Sequence, residues 1–151
     1  MDNSHDITIL NTLIATTLDS VKGYREAAEQ SEDASHRQFF TEMSDERSRV
    51  AADLQQQVRS LGGDPEMDSS AAGATHRSWL NLKSAVTGRD EKAIVNEVER
   101  GEDYIKEKFE DAIADDELGA ATRGALEKCF GSIRKGHDRA SAMKHTMAHA
   151  D

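Results

Sequence analysis

The chain has 151 residues, and its 29 acidic against 19 basic side chains give a net charge of −10, which argues against a nucleic-acid partner because phosphate binding needs a basic surface. One proline, ten glycines and 32% charged residues argue for helices and against an all-β fold, in a single domain spanning 1–151. The lone Cys129 excludes an intramolecular disulfide, no stretch approaches the roughly 20 apolar residues of a membrane span, and residues 1–6 lack signal-peptide character, so a cytoplasmic protein is expected.

In chain order, Ile7, Leu10, Ile14, Leu18, Val21, Tyr24 and Ala28 repeat at three and four, which predicts a first helix over about 6–30. Ser31-Glu32-Asp33 reads as a turn. Ser35 with Gln38 three positions later reads as a capping box opening a second helix, about 35–61, with Phe39, Phe40, Met43, Val50, Leu54, Val58 and Leu61 inward. Gly62-Gly63 stops it, since glycine takes the left-handed conformation. Residues 62–89 are too long a link for a hairpin and contain a short helix expected over about 75–86. A connection walking the length of a bundle would need such a link, because a 25-residue helix is about 37 Å long. A third helix is expected over about 90–114, with Ile94, Val98, Ile105, Phe109 and Ala112 inward. A fourth, about 118–147, carries Ala125, Cys129, Phe130, Ile133, Ala140 and Met147. On its apolar face Cys129 reads as a small core residue rather than a nucleophile. The fold class expected is an all-α, up-down four-helix bundle, two antiparallel hairpins joined by one long crossover.

Four polar residues fall where apolar ones belong, one on each helix: Arg25, Arg47, Glu102 and His137. A buried charge is costly unless paired, so they are expected to meet as a buried network. A crossover that spans the bundle makes the second and third helices parallel. Arg47 and Glu102 then lie at similar depths and can pair, with His137 within reach of Glu99 or Glu102.

Leu18-Asp19-Ser20-Val21-Lys22-Gly23-Tyr24-Arg25-Glu26-Ala27-Ala28, Leu61-Gly62-Gly63-Asp64-Pro65, His76-Arg77-Ser78-Trp79 and Glu99-Arg100-Gly101-Glu102-Asp103 resemble an uncharacterised bacterial family. Its members are described as ferritin-like four-helix-bundle proteins with a domain of unknown function. Glu99 to Asp103 and the glycine pair are more distantly similar to rubrerythrins and bacterioferritins. The resemblance implies a ferritin-like bundle, whose di-iron enzymes use a Glu from each of two helices and Glu-x-x-His from the other two. The residues that would take iron or manganese on that pattern are Glu46, Glu99, Glu102 and His137. The pattern is broken: Arg134 stands three before His137, Glu46-Arg47-Ser48-Arg49 puts arginine where histidine should be, and Asp19 and Glu26 lie off the apolar stripe.

In the crossover, His76, Arg77, Trp79 and Lys83 form an unusual cluster, either docking the crossover onto the bundle or serving as an interface patch. The expected function is a non-enzymatic, self-associating bundle without a cofactor, a homo-oligomer with a stress role inferred by analogy to ferritin relatives. The alternatives are a metal-binding oxidoreductase or metal-handling protein, and an adaptor using the crossover.

Overall fold

The apolar repeats fold as helices of the expected type. The computed structural model describes residues 2–68 and 90–148. These form α1 (Ser4–Gln30), α2 (Ala34–Ser60), α3 (Glu91–Ile113) and α4 (Ala120–Ala148), with no strand among the described residues. The short crossover helix, with His76, Arg77, Trp79 and Lys83, lies outside the described residues.

The helix ends follow local chemistry. Asp33, rather than Ser35, caps α2: its carboxylate accepts from the Ser35 and His36 N–H groups at 2.9 and 3.1 Å. Ser35 lies inside the helix and donates its hydroxyl to Asp33 at 2.7 Å. A carboxylate satisfies the orphan donors and also complements the positive helix end, so it displaces the neutral cap. Asp90 does the same for α3, accepting from Lys92 and Ala93. After α2, Gly62 has φ 84°, the left-handed backbone that glycine adopts freely. Gly63 serves differently, since a Cβ there would lie 2.8 Å from Ile7 Cδ1.

Contacts at the helix ends set the topology. Asn3 donates to the Leu61 carbonyl at 3.2 Å, and the Gly119 N–H donates to Asp6, so the start of α1, the end of α2 and the α3–α4 turn share one end. At the other end the Ser31 hydroxyl donates to Glu91 at 2.9 Å. Hence α2 and α3 run parallel, α1–α2 and α3–α4 are antiparallel hairpins, and the molecule is an all-α four-helix bundle.

The core divides into two clusters. One holds Leu10, Leu13, Ile14, Leu54, Ile105, Phe109, Leu126 and Ile133. The other, toward the Glu91 end, holds Tyr24, Phe39, Phe40, Met43, Ile94 and Val98. On α4 the inward line runs Leu126, Cys129, Ile133, Gly136, Ala140, whereas Ala125 and Phe130 sit half-buried on its shoulders. Burial pushes the Cys129 thiol up to about 11, so it stays protonated at neutral pH.

Candidate functional site

Between the two clusters lies a layer of polar groups. Arg47 is among the largest fully buried side chains of the described residues, and Glu102 is also 0% exposed. Arg47 Nη2 donates to Glu102 Oε2 at 2.8 Å, which joins the parallel helices α2 and α3. The guanidinium fork is shared rather than bidentate, because Nη1 donates to Ser20 Oγ of α1 at 2.9 Å. The second Glu102 oxygen accepts a hydrogen bond from the Tyr24 hydroxyl. The Arg47 guanidinium carbon also stands 5.7 Å from the Tyr24 ring centroid.

The electrostatics are self-consistent. Burial, followed by the adjacent Glu102 carboxylate, raises the Tyr24 pKa well above its usual value, so the hydroxyl keeps its proton and donates. Burial works against the charge on Arg47, yet Glu102, Tyr24 and Glu46 together outweigh it and hold the guanidinium more firmly protonated. Arg47 Nε has no hydrogen-bond partner among the described residues.

Gly136 makes room for this layer. A Cβ there would lie 2.6 Å from an Arg47 Nη and 2.5 Å from Met43 Cε, so α4 contributes bare backbone to the centre. Any side chain at this position would compete with the guanidinium for space.

The four residues expected to form a buried network separate into two groups. Arg47 and Glu102 meet. Arg25 is exposed: it follows Leu18 by two turns, and that line is the half-buried edge of α1 rather than its inward face. The buried face runs through Leu10, Thr17, Ser20, Tyr24 and Ala27, and Asp19, which the stripe placed outside, is buried beside it. His137 reaches neither Glu99 nor Glu102. Its Nε2 lies 2.6 Å from Asp103 Oδ1 on the outer α3–α4 seam, because Gly136, one residue earlier, takes the inward position.

Glu46, Glu99, Glu102 and His137 therefore do not converge. Glu46 accepts from Ser132, Glu99 from Lys144 at 3.3 Å, and Glu102 alone faces the centre. That centre does not fit a pair of metal ions, since the Glu102 carboxylate is bound on one oxygen by a guanidinium and on the other by a phenol. Elsewhere, His5, Asp115 and Glu117 bring three ligand-type atoms within 4.8 Å of one another at the exposed bundle end. His5 lies 2.9 Å from Asp115 there, and His36 lies 2.8 Å from Glu91 at the opposite end.

Tyr24, Ser20 and Gly136 belong to the layer and were not singled out by pattern. Their signals were present: a phenol on the apolar stripe, a serine four residues before it, and a glycine inside a long helix.

A family model described as "Domain of unknown function (DUF2383)" matches residues 5–115. The chain belongs to this family. No match is found among curated proteins. Among solved structures, Dps1 of Mycobacterium smegmatis, in a mutant form, is similar with a TM-score of 0.80 and 14% identity, over 93% of this chain and 95% of that one. A conserved hypothetical protein of Mycobacterium tuberculosis gives 0.74 and 11% identity, over 95% and 99%. A two-domain protein of Anabaena variabilis, with DJ-1/ThiJ/PfpI-like and ferritin-like domains, gives 0.77 and 12% identity. The match spans the whole of this chain and 39% of that protein. At these identities the likeness establishes a ferritin-like fold and nothing about activity.

Proposed function

We propose that this DUF2383 protein is a non-enzymatic, self-associating ferritin-like module whose centre is a structural charge layer rather than a metal centre. The observation that carries the reading is Arg47, wholly buried and bonded to the fully buried carboxylate of Glu102. A fixed cation occupies the space where a bridging carboxylate would have to gather two further cations. Such a layer fixes register: Glu102 can be satisfied only where Arg47 and Tyr24 both reach it, so a sliding α3 would strand its charge.

The self-association reading draws on charge stripes along the outer faces of α2 and α4 whose members have no ion-pair partner among the described residues. A stress role rests on analogy with ferritin relatives alone. No cofactor is part of the proposal, and the protein purified without a histidine tag from iron- and manganese-supplemented medium is expected to carry well under one metal per chain. It is also expected to lack ferroxidase activity. Two tightly held metals per chain, lost in Glu102→Ala, would sink this reading in favour of a metal-dependent oxidoreductase.

A further inference from the structure

Although the chain is acidic overall, α4 carries six Lys and Arg against two Asp and Glu. Its outward crest forms a shallow groove of about 430 Å³ lined by Gly131, Arg134, Lys135, Asp138, Arg139 and Ala142. Lys128, Lys135 and Arg139 recur at seven and four, one stripe on the α2 side of that crest, and all three are exposed. None has an ion-pair partner among the described residues, although Arg139 rests on the Phe39 ring at 4.4 Å. Gly131 sits mid-crest, where a Cβ would meet nothing within 4 Å. Glycine is disfavoured inside a helix, and no contact within the described molecule calls for it there.

Beside this stripe, α2 exposes an acidic one: Glu42, Asp45 and Asp53, with Arg49 as its one interrupting cation. The relative heights of the two helices are fixed by the Ser132–Glu46 hydrogen bond and the Arg139–Phe39 contact. Lys135 is therefore level with Glu42, and Lys128 falls between Asp53, within about one turn on one side, and the interrupting Arg49 on the other. A two-fold axis parallel to the bundle keeps every height and exchanges the two sides of this face. It lays the basic stripe of one copy along the acidic stripe of the other, antiparallel, and does so twice. We infer that the α2–α4 face is the contact between two copies of this chain, paired by Lys135 with Glu42 and Lys128 with Asp53 across a two-fold. This inference rests on the self-association reading and names its surface.

Sedimentation of the full chain across a range of concentrations and salt tests both levels. The wild type is expected to dimerise at low salt and to weaken as salt rises. Lys128→Glu with Lys135→Glu should raise the dissociation constant at least roughly tenfold, and Glu42→Lys with Asp53→Lys should do the same. These positions are exposed, and unchanged helicity by circular dichroism will show that each variant folds. Mixing the two double variants should restore a dimer, since each supplies the charge the other lacks. An assembly indifferent to both variants, or a mixture that stays monomeric, would refute this face while leaving self-association intact. A wild type that is monomeric at every salt and concentration would end both readings.

Discussion

α3 holds α1 and α2 together twice with the same chemistry, once in the dry centre and once at a wet end. Glu102, 0% exposed, binds Tyr24 of α1 and Arg47 of α2. Glu91, with 22% of its side chain exposed, binds Ser31 just after α1 and His36 of α2. Water can replace lost partners at Glu91 and cannot at Glu102. The geometry is alike, so burial decides what each clasp does: the central one dictates which helices meet and at what height, while the outer one adjusts an end already placed.

The sharpest way to break this comparison is to strand one charge in the centre. Arg47→Met or Glu102→Gln alone should destabilise the fold by about 3–5 kcal/mol, because the remaining polar group has no water to turn to. The double variant should cost less than the sum, with a coupling of at least about 1 kcal/mol in denaturant melts. Strict additivity would mean that the two side chains do not depend on each other. The matching pair at the wet end, His36 with Glu91, should show much weaker coupling.

Next in size is the phenol. Tyr24→Phe keeps the ring packing on Phe39 and Phe40 but leaves one Glu102 oxygen without its donor, at a cost of about 1.5–3 kcal/mol. A neutral result would show that Arg47 and Ser20 suffice. Gly136→Ala probes the same layer from α4. A methyl group 2.6 Å from an Arg47 Nη must displace it, costing about 1–3 kcal/mol by overpacking. Gly124→Ala is the control: nothing lies within 4 Å of its Cβ, so higher helix propensity should stabilise by up to about 1 kcal/mol.

What could be read from the sequence divides along the same line. Helix positions and the parallel run of α2 and α3 follow from apolar spacing and from one long link, and Arg47 and Glu102 each stand out as a charge on an apolar face. Arg25 looked similar because it shares a line with Leu18 and Ala28, yet that line is an edge, where a long side chain reaches water. One step of 100° likewise separates Gly136, which faces the centre, from His137, which faces Asp103. Periodicity resolves a face but not its borders, and polar partners are chosen at borders. Tyr24 and Ser20 escaped because a phenol and a serine on an apolar stripe read as packing until an acceptor is placed beside them.

The smallest effect, and the one that titrates, belongs to Glu91. Burial alone would raise its pKa, but hydrogen bonds from His36, the Glu32 N–H and Ser31 outweigh burial and hold it below the usual carboxylate value. Among the described residues Asp33 also lies close, 3.9 Å from the His36 ring, so the imidazole is shared between two carboxylates. A carboxylate whose folded pKa is depressed contributes stability that is fully present above its unfolded value, near 4.5. That contribution is lost as pH falls through the lower folded value. Glu91→Gln should therefore cost about 1 kcal/mol at neutral pH, a charged hydrogen-bond contribution discounted for exposure. The gap between variant and wild type should close below the folded pKa, where the wild-type carboxyl is also neutral. Denaturant melts of both proteins at neutral and acid pH measure this difference directly. A gap of equal size at both would show that Glu91 holds the end through packing rather than through its charge, the opposite of Glu102 in the centre.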